Sequence, residues 1–420
     1  HFGSILMVSI LLWVSFLLPA KCLEAWPYAK RNYGCPEGRT VSVNPRWRVF
    51  DCIPPGTSKL GNQRSYNVLS QGSTHKRIHL PQFRKFVPWV GVPQTREDIL
   101  TDFMGVKMPY SLYCNQEYIV QVTAHALRVR QCIMFKRLNQ LRLAFGGEDS
   151  ILQMSWPVVS EEYWEYAAVL SAVLDFAQAR QRGENRQFTL VELGAGYGHW
   201  AFAAHAALQQ QAPLAPHHFL LVDVVGKMAP IVQNLAELNN MSSSPEHVLD
   251  FHAGLVSARS REEAWSQVHS QFSDYMIGYY SKMFGAETDE SQDSKPVTLK
   301  ELFDLYNLPC FIDIVHVDIQ GYEYSRLTAS PEGIPVQDGL FSGSEAVDLL
   351  TARARRVHIG LHSNIAHENE PLRNLFKERG WREDAFWLWG KNQTTRYGPV
   401  DFGDGVLSLV NLNNIKCPQQ

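Results

Sequence analysis

Val191-Glu192-Leu193-Gly194-Ala195-Gly196-Tyr197-Gly198-His199-Trp200 is the stretch on which the reading of this chain turns. The apolar run at 188–191 in front of it predicts a buried strand, and residues 197 to about 208 predict a helix. Strand, glycine turn and helix together suit a nucleotide-type ligand. The glycines let backbone N–H groups approach it, and the helix N-terminus adds partial positive charge. Glu192, Gly194, Ala195, Gly196, Tyr197 and Gly198 are the candidate ligand contacts of this turn.

A glycine turn alone is weakly specific, so the following strand matters. His218-Phe219-Leu220-Leu221-Val222-Asp223 is an apolar run that ends in a carboxylate. In dinucleotide-type folds an acid at this point binds the ribose hydroxyls. The NAD fingerprint G-x-G-x-x-G needs its third glycine where this chain has His199, and here the glycine falls one place earlier, at Gly198. An acid just ahead of the glycines, Glu192, suits a ligand that carries positive charge. S-adenosyl-L-methionine, with its sulfonium and ammonium groups, is therefore the expected cofactor. A third strand over 248–252 places His252 where the adenine end of such a ligand is expected to pass.

The next element is Phe311-Ile312-Asp313-Ile314-Val315-His316-Val317-Asp318-Ile319-Gln320-Gly321-Tyr322-Glu323. It predicts a buried strand tipped by Asp318, with Glu323 just past a turn glycine. A further strand, Arg355-Arg356-Val357-His358-Ile359-Gly360-Leu361-His362-Ser363, ends in a histidine, and a helix over 372–379 runs to Gly380-Trp381. Ligands of open parallel sheets sit outside the carboxyl ends of the strands, so these residues belong to the mouth that the glycine turn opens.

With these pieces in place, the chain resembles the FkbM-type S-adenosylmethionine-dependent methyltransferases. The resemblance rests on 189–200, on Thr298-Leu299-Lys300-Glu301-Leu302, on Val317–Glu323, and on 356–363 with 372–381 behind it; the predicted helix over 157–177 also fits. It covers about residues 150–390. The chain departs from the family at His316, where Lys is common, and at Tyr322, where Ala is frequent. The resemblance implies a class I methyltransferase-like Rossmann fold of the α/β class, a mostly parallel twisted sheet with helices on both faces. It also supports Asp318 and Glu323 as site residues, through its D-x-x-G-x-E pattern.

Methyl transfer is an in-line displacement, so the site must hold an acceptor atom at ~3 Å from the methyl group. A hydroxyl acceptor gains about 10²–10⁴-fold from a nearby base. Asp318 and His362 are the candidate bases, and Glu323 is expected to assist or to orient them. His358 and His362, four apart on one strand face, invite a metal reading. Two ligands do not complete a site, and no metal is expected. His316 points to the Asp318 face and reads as structural or supporting.

Alternating strands and helices predict a parallel sheet covered on both sides. The expected organisation is a signal peptide or signal anchor at 1–22, a basic, loop- and helix-rich extension at 23–150, and the methyltransferase-like domain at 151–420. Helices are expected within 117–144, a boundary at 146–150, and an acidic mobile insertion over 285–296. At 45% hydrophobic and 19% charged, the chain can bury a large core. A net charge of −3 gives no mandate for nucleic acid. The basic residues cluster between Lys30 and Arg96, which reads as a solvated surface or as a platform for an anionic substrate or membrane.

Residues 2–18 are almost wholly apolar and are followed by Pro19-Ala20-Lys21-Cys22, a leader pattern that is either cleaved or retained as an anchor. Both outcomes place the chain in the secretory pathway: in the ER or Golgi lumen, attached to their membrane, or secreted. The expected acceptor is a glycan or small molecule. No C-x-x-C pair marks a zinc knuckle. Cys35–Cys52 is the expected disulfide, and Cys310 is expected to be a buried free thiol. Sequons at Asn240 and Asn392 agree with a lumenal address. Two rival readings remain: a non-catalytic binding protein that keeps the fold, and an NAD-dependent oxidoreductase.

Overall fold

The computed structural model describes residues 40–43, 50–53, 65–68, 80–91, 99–109, 151–153, 161–241, 244–258, 296–319, 322–323, 339–362, 366–395, 398–402, 404–415 and 417. The expected leader, the helices within 117–144, the boundary at 146–150, the insertion over 285–295 and the Cys35 half of the expected disulfide lie outside the described residues.

Seven strands make the main sheet: β1 (Phe188–Leu193), β2 (His217–Asp223), β3 (His247–Ala253), β4 (Ile312–Val317), β5 (Ala354–Leu361), β6 (Trp381–Trp387) and β7 (Gly405–Asn411). Their order is β3-β2-β1-β4-β5-β7-β6. The first five are mutually parallel, and β7 enters antiparallel between β5 and β6. This arrangement is the class I methyltransferase-like Rossmann fold. Sheet growth reverses between β1 and β4, and the crevice at their carboxyl ends is where such sheets bind ligands.

The central strands are buried on both faces, which is why they read as unbroken apolar runs. Side chains alternate between the faces with a period of two. Phe188, Leu190, Phe219, Leu221 and Ile314 pack under α1 (Glu161–Gln181), α2 (His199–Gln211) and α3 (Met228–Leu238). Val191, Leu193, Leu220, Val222 and Val315 pack against α4 (Leu299–Leu305), α5 (Glu345–Arg353) and α6 (Ala366–Glu378). Thr298 and Glu301 form a reciprocal capping box that starts α4.

Leu80, Phe83, Phe86, Phe103, Met104, Val106 and Met108 share the α1–α2 core. Phe83 stacks on Tyr163 of α1 with ring centres 4.6 Å apart, and the Leu80 N–H donates to the Tyr163 hydroxyl. The basic stretch between 30 and 96, read as loop-heavy, contains strands at Thr40–Val43, Phe50–Ile53, Ser65–Val68 and Val90–Gly91, which join Ile151–Gln153 in a five-stranded sheet.

One expectation is overturned. Cys310, read as a free thiol, is bonded to Cys417. The pair ties the entry of β4 to the tail after β7, and their separation of 107 residues hides it from any local pattern.

Candidate active site

The site is assembled at the carboxyl ends of β1, β2, β4 and β5. Gly194, Gly196 and Gly198 all have positive φ, so the chain makes a tight nest between β1 and α2. At Gly194 a Cβ would overlap the carbonyl oxygen of Asp318, so only glycine lets the first turn lie against the end of β4. That contact is locked by the Asp318 N–H, which donates to the Leu193 carbonyl at 2.9 Å. Around Gly196, by contrast, a Cβ would meet nothing within 4 Å. The turn therefore presents bare backbone to open space, which is the cradle that a nucleotide-type ligand needs.

Asp223, at the tip of β2, is buried and tied to the same turn. Its carboxylate accepts from the Gly196 N–H at 2.8 Å and from the Val225 N–H at 2.8 Å. Burial raises its pKa to about 6 against the pull of those two donors. Ala195 and Gly194 both donate to the Val222 carbonyl, so the start of the turn hangs from the end of β2. Glu192 lies beneath the turn, 2% exposed, and accepts from the Ala201 N–H at 3.1 Å. It serves the start of α2, whose N-cap, Gly198, has no side chain to do so. Burial pushes its carboxyl up to about 8, beyond what the α2 N–H groups can offset.

Tyr197 sits half-buried with its ring edge-on to His199 at 5.9 Å. His199 Nε2 lies 2.6 Å from the Tyr166 hydroxyl, which donates to Asp102 at 2.7 Å. His252 closes β3 beside the end of β2, where its Nδ1 lies 3.2 Å from the Tyr306 hydroxyl.

On the β4–β5 side the structure brings Asp318, Glu323 and His362 together. Glu323 is fully buried, and its Oε1 accepts from the Ile319 N–H at 3.0 Å and from His362 Nδ1 at 3.0 Å. The other imidazole nitrogen, Nε2, lies 3.3 Å from Asp318 Oδ1 and 3.6 Å from Asp404 Oδ1. Burial alone would lower the His362 pKa. The Glu323 charge, the hydrogen bonds that the ring donates to Asp318 and Glu323, and the Asp404 charge outweigh it and hold the His362 pKa well above the usual histidine range. Gly360 keeps this corner open, since a Cβ there would lie 3.3 Å from Asp318 Oδ1.

Asp404 was not singled out from the sequence. It reaches the site because β7 pairs antiparallel with β5, which sets Gly405 opposite Leu361. The i, i+4 pair His358 and His362 is split between two clusters. His358 joins Glu165 and His316, and His362 joins Asp318 and Glu323; in each trio the donor atoms lie within 4.8 Å of one another.

No family model and no curated protein matches this chain. Among solved structures it is similar to precorrin-6y C5,15-methyltransferase from Geobacter metallireducens GS-15, at 10% identity over 60% of this chain and 88% of that one, TM-score 0.27. It is likewise similar to magnesium protoporphyrin IX methyltransferase from Synechocystis PCC 6803 with bound SAM, at 13% identity over 60% and 82%, TM-score 0.29. A human methyltransferase 10 domain containing protein aligns at 11% identity over 61% and 85%, TM-score 0.27. With likenesses this distant, the fold is defined by the strand order itself.

Proposed function

We propose that this protein is an S-adenosyl-L-methionine-dependent methyltransferase that methylates a hydroxyl group on a glycan or small molecule. The observation that carries the reading is one continuous contact path. The glycine turn touches the Asp318 backbone at Gly194, and the Asp318 side chain touches His362, which is held by Glu323. A cofactor nest and an acid–base group thus share one sheet edge.

The nest fits the cofactor in two respects: bare backbone around Gly196, and the buried Asp223 carboxylate at the position for ribose hydroxyls. When bound, S-adenosyl-L-methionine supplies the activated methyl group. His362 is the proposed proton acceptor. Glu323 takes the Nδ1–H and fixes the tautomer in which Nε2 carries the lone pair. Asp318 and Asp404 flank Nε2 and stabilise the imidazolium that forms when a hydroxyl proton is taken.

The proposed address is the secretory pathway, with the leader at 1–22 either cleaved or retained as a membrane attachment. Its support is the apolar run at 2–18 together with the Cys310–Cys417 bond, a pairing typical of oxidising compartments. Among the described residues no helix is long and apolar enough to cross a membrane. The FkbM-type affiliation rests on the sequence stretches around the glycine turn and Asp318–Glu323.

The test is transfer from a methyl-labelled cofactor to a library of glycans and hydroxylated metabolites, read by mass spectrometry. O-methylated product that disappears with His362→Ala supports the reading. A cofactor-binding protein that methylates nothing, or only nitrogen or carbon, contradicts the O-methylation assignment.

A further inference from the structure

Beneath the candidate active site, on the α1 face of the sheet, lies a second polar cluster that the methyl-transfer reading does not use. It consists of Glu165 from α1, His316 from β4 and His358 from β5, all buried. His316 and His358 are register partners on adjacent strands, with their rings parallel and 5.1 Å apart. His358 is fully buried; its Nδ1 lies 2.7 Å from the Ser408 hydroxyl of β7, and its Nε2 makes no hydrogen bond. Neither ring nitrogen of His316 makes one. Three imidazole nitrogens are thus dry and unsatisfied in one small volume, at about 1–3 kcal/mol each.

We infer that Glu165, His316 and His358 form a buried site for a divalent transition metal of the zinc class. Two imidazoles and one carboxylate are an established donor set for such ions. Burial lowers the pKa of both histidines, to about 4 for His316, so the lone pairs that a metal needs are present at neutral pH. The Ser408 contact has the form of an outer partner that fixes one ring nitrogen and leaves the other for a metal.

His316 Nε2 already lies 3.3 Å from Glu165 Oε1. Two ligand atoms at 2.0–2.1 Å on a tetrahedral ion stand about 3.4 Å apart, so this edge of the coordination figure is in place. Because the two rings are parallel, His316 must turn about its Cβ–Cγ bond for the lone pairs to converge. It is the ring that no hydrogen bond restrains. Zinc binding here ties α1 to the two strands that carry Asp318 and His362. It also turns the buried Glu165, whose pKa burial now holds high, into an anionic ligand.

The test is metal analysis of the full-length chain purified without chelator, followed by zinc titration against a chromophoric competitor. The expected result is about one equivalent of zinc per chain in wild type and in Glu323→Gln, and near none in His358→Ala. Should His358→Ala fail to fold, Ser408→Ala keeps every ligand and is expected to lose about 10–100-fold in zinc affinity. Cobalt substitution should give a visible d–d spectrum that vanishes in the same variants. A folded wild-type chain that holds no metal and takes up neither zinc nor cobalt overturns the inference. So does zinc that is lost with Glu323→Gln and kept in His358→Ala.

Discussion

His362 Nδ1 stands 3.0 Å from the fully buried Oε1 of Glu323, so one imidazole nitrogen is committed to orientation and the other faces Asp318 and Asp404. The surrounding carboxylates raise the His362 pKa, so the imidazole becomes a base only above that raised value. The rate is therefore expected to climb with pH through an alkaline limb. Glu323→Gln removes the nearest charge and moves that limb to lower pH, while labelled-cofactor binding stays near wild type. The kcat should fall at least tenfold, because the tautomer is no longer fixed. A pH–rate profile of both proteins checks this. An unmoved limb removes His362 from the role of base.

The same pair makes a stability prediction with a defined sign. The folded pKa of His362 lies above its unfolded value, so the stabilisation is complete below the unfolded pKa and is lost as pH rises through the folded one. His362→Gln should accordingly cost most at acidic to neutral pH and least in alkali. Denaturant titrations across that range measure the difference.

Glu192 shifts stability with the same sign but from a different cause. Burial raises its carboxyl to about 8, so the fold favours the protonated form and loses stability as pH rises from about 4.5 to 8. Glu192→Gln keeps an acceptor for the Ala201 N–H and removes the titration. The variant should gain on wild type by a few kcal/mol, to order of magnitude, between the two ends of that window. An unchanged pH dependence shows that Glu192 titrates normally.

Gly194 and Gly196 separate folding from binding. Ala at either site adopts a left-handed conformation at roughly 1–2 kcal/mol. Only at Gly194 does the new Cβ also collide with the Asp318 backbone, so Gly194→Ala should lower thermal stability distinctly more than Gly196→Ala. Gly196→Val, in open space at φ +53, should leave a folded chain that no longer binds cofactor. Paired melting and isotope-binding curves distinguish the two effects.

Reducing Cys310–Cys417 releases a cross-link that spans 107 residues. Loss of a native bridge of this span is worth roughly 2–5 kcal/mol, most of it through the unfolded chain. Cys417→Ser should therefore melt earlier, with its site geometry and cofactor affinity kept.

The sheet core and half of the site were legible because they are written locally. β1, β2, β4 and β5 are short apolar runs between glycine or polar breaks, and each ends in the residue that the site uses: the glycine turn, Asp223, Asp318 and His362. What was missed depends on contacts distant in sequence. Asp404 gains its place only through the antiparallel insertion of β7 beside β5. Glu165 sits four residues into α1 behind Glu161 and Glu162, where it reads as one more helix-start charge rather than a buried partner of His316. Cys310 looked like a thiol at a strand entry because its partner lies beyond the last strand. The histidines at 358 and 362, expected to share one strand face, belong to separate clusters, and His362 lies just past the end of β5 at Leu361.

Calorimetric titration of the purified chain with S-adenosyl-L-methionine and, separately, with NAD tests the central claim most directly. Saturable binding of S-adenosyl-L-methionine to wild type, lost in Gly196→Val and absent for NAD, is the predicted result. Binding of NAD alone, or equal binding of S-adenosyl-L-methionine by wild type and Gly196→Val, would contradict it.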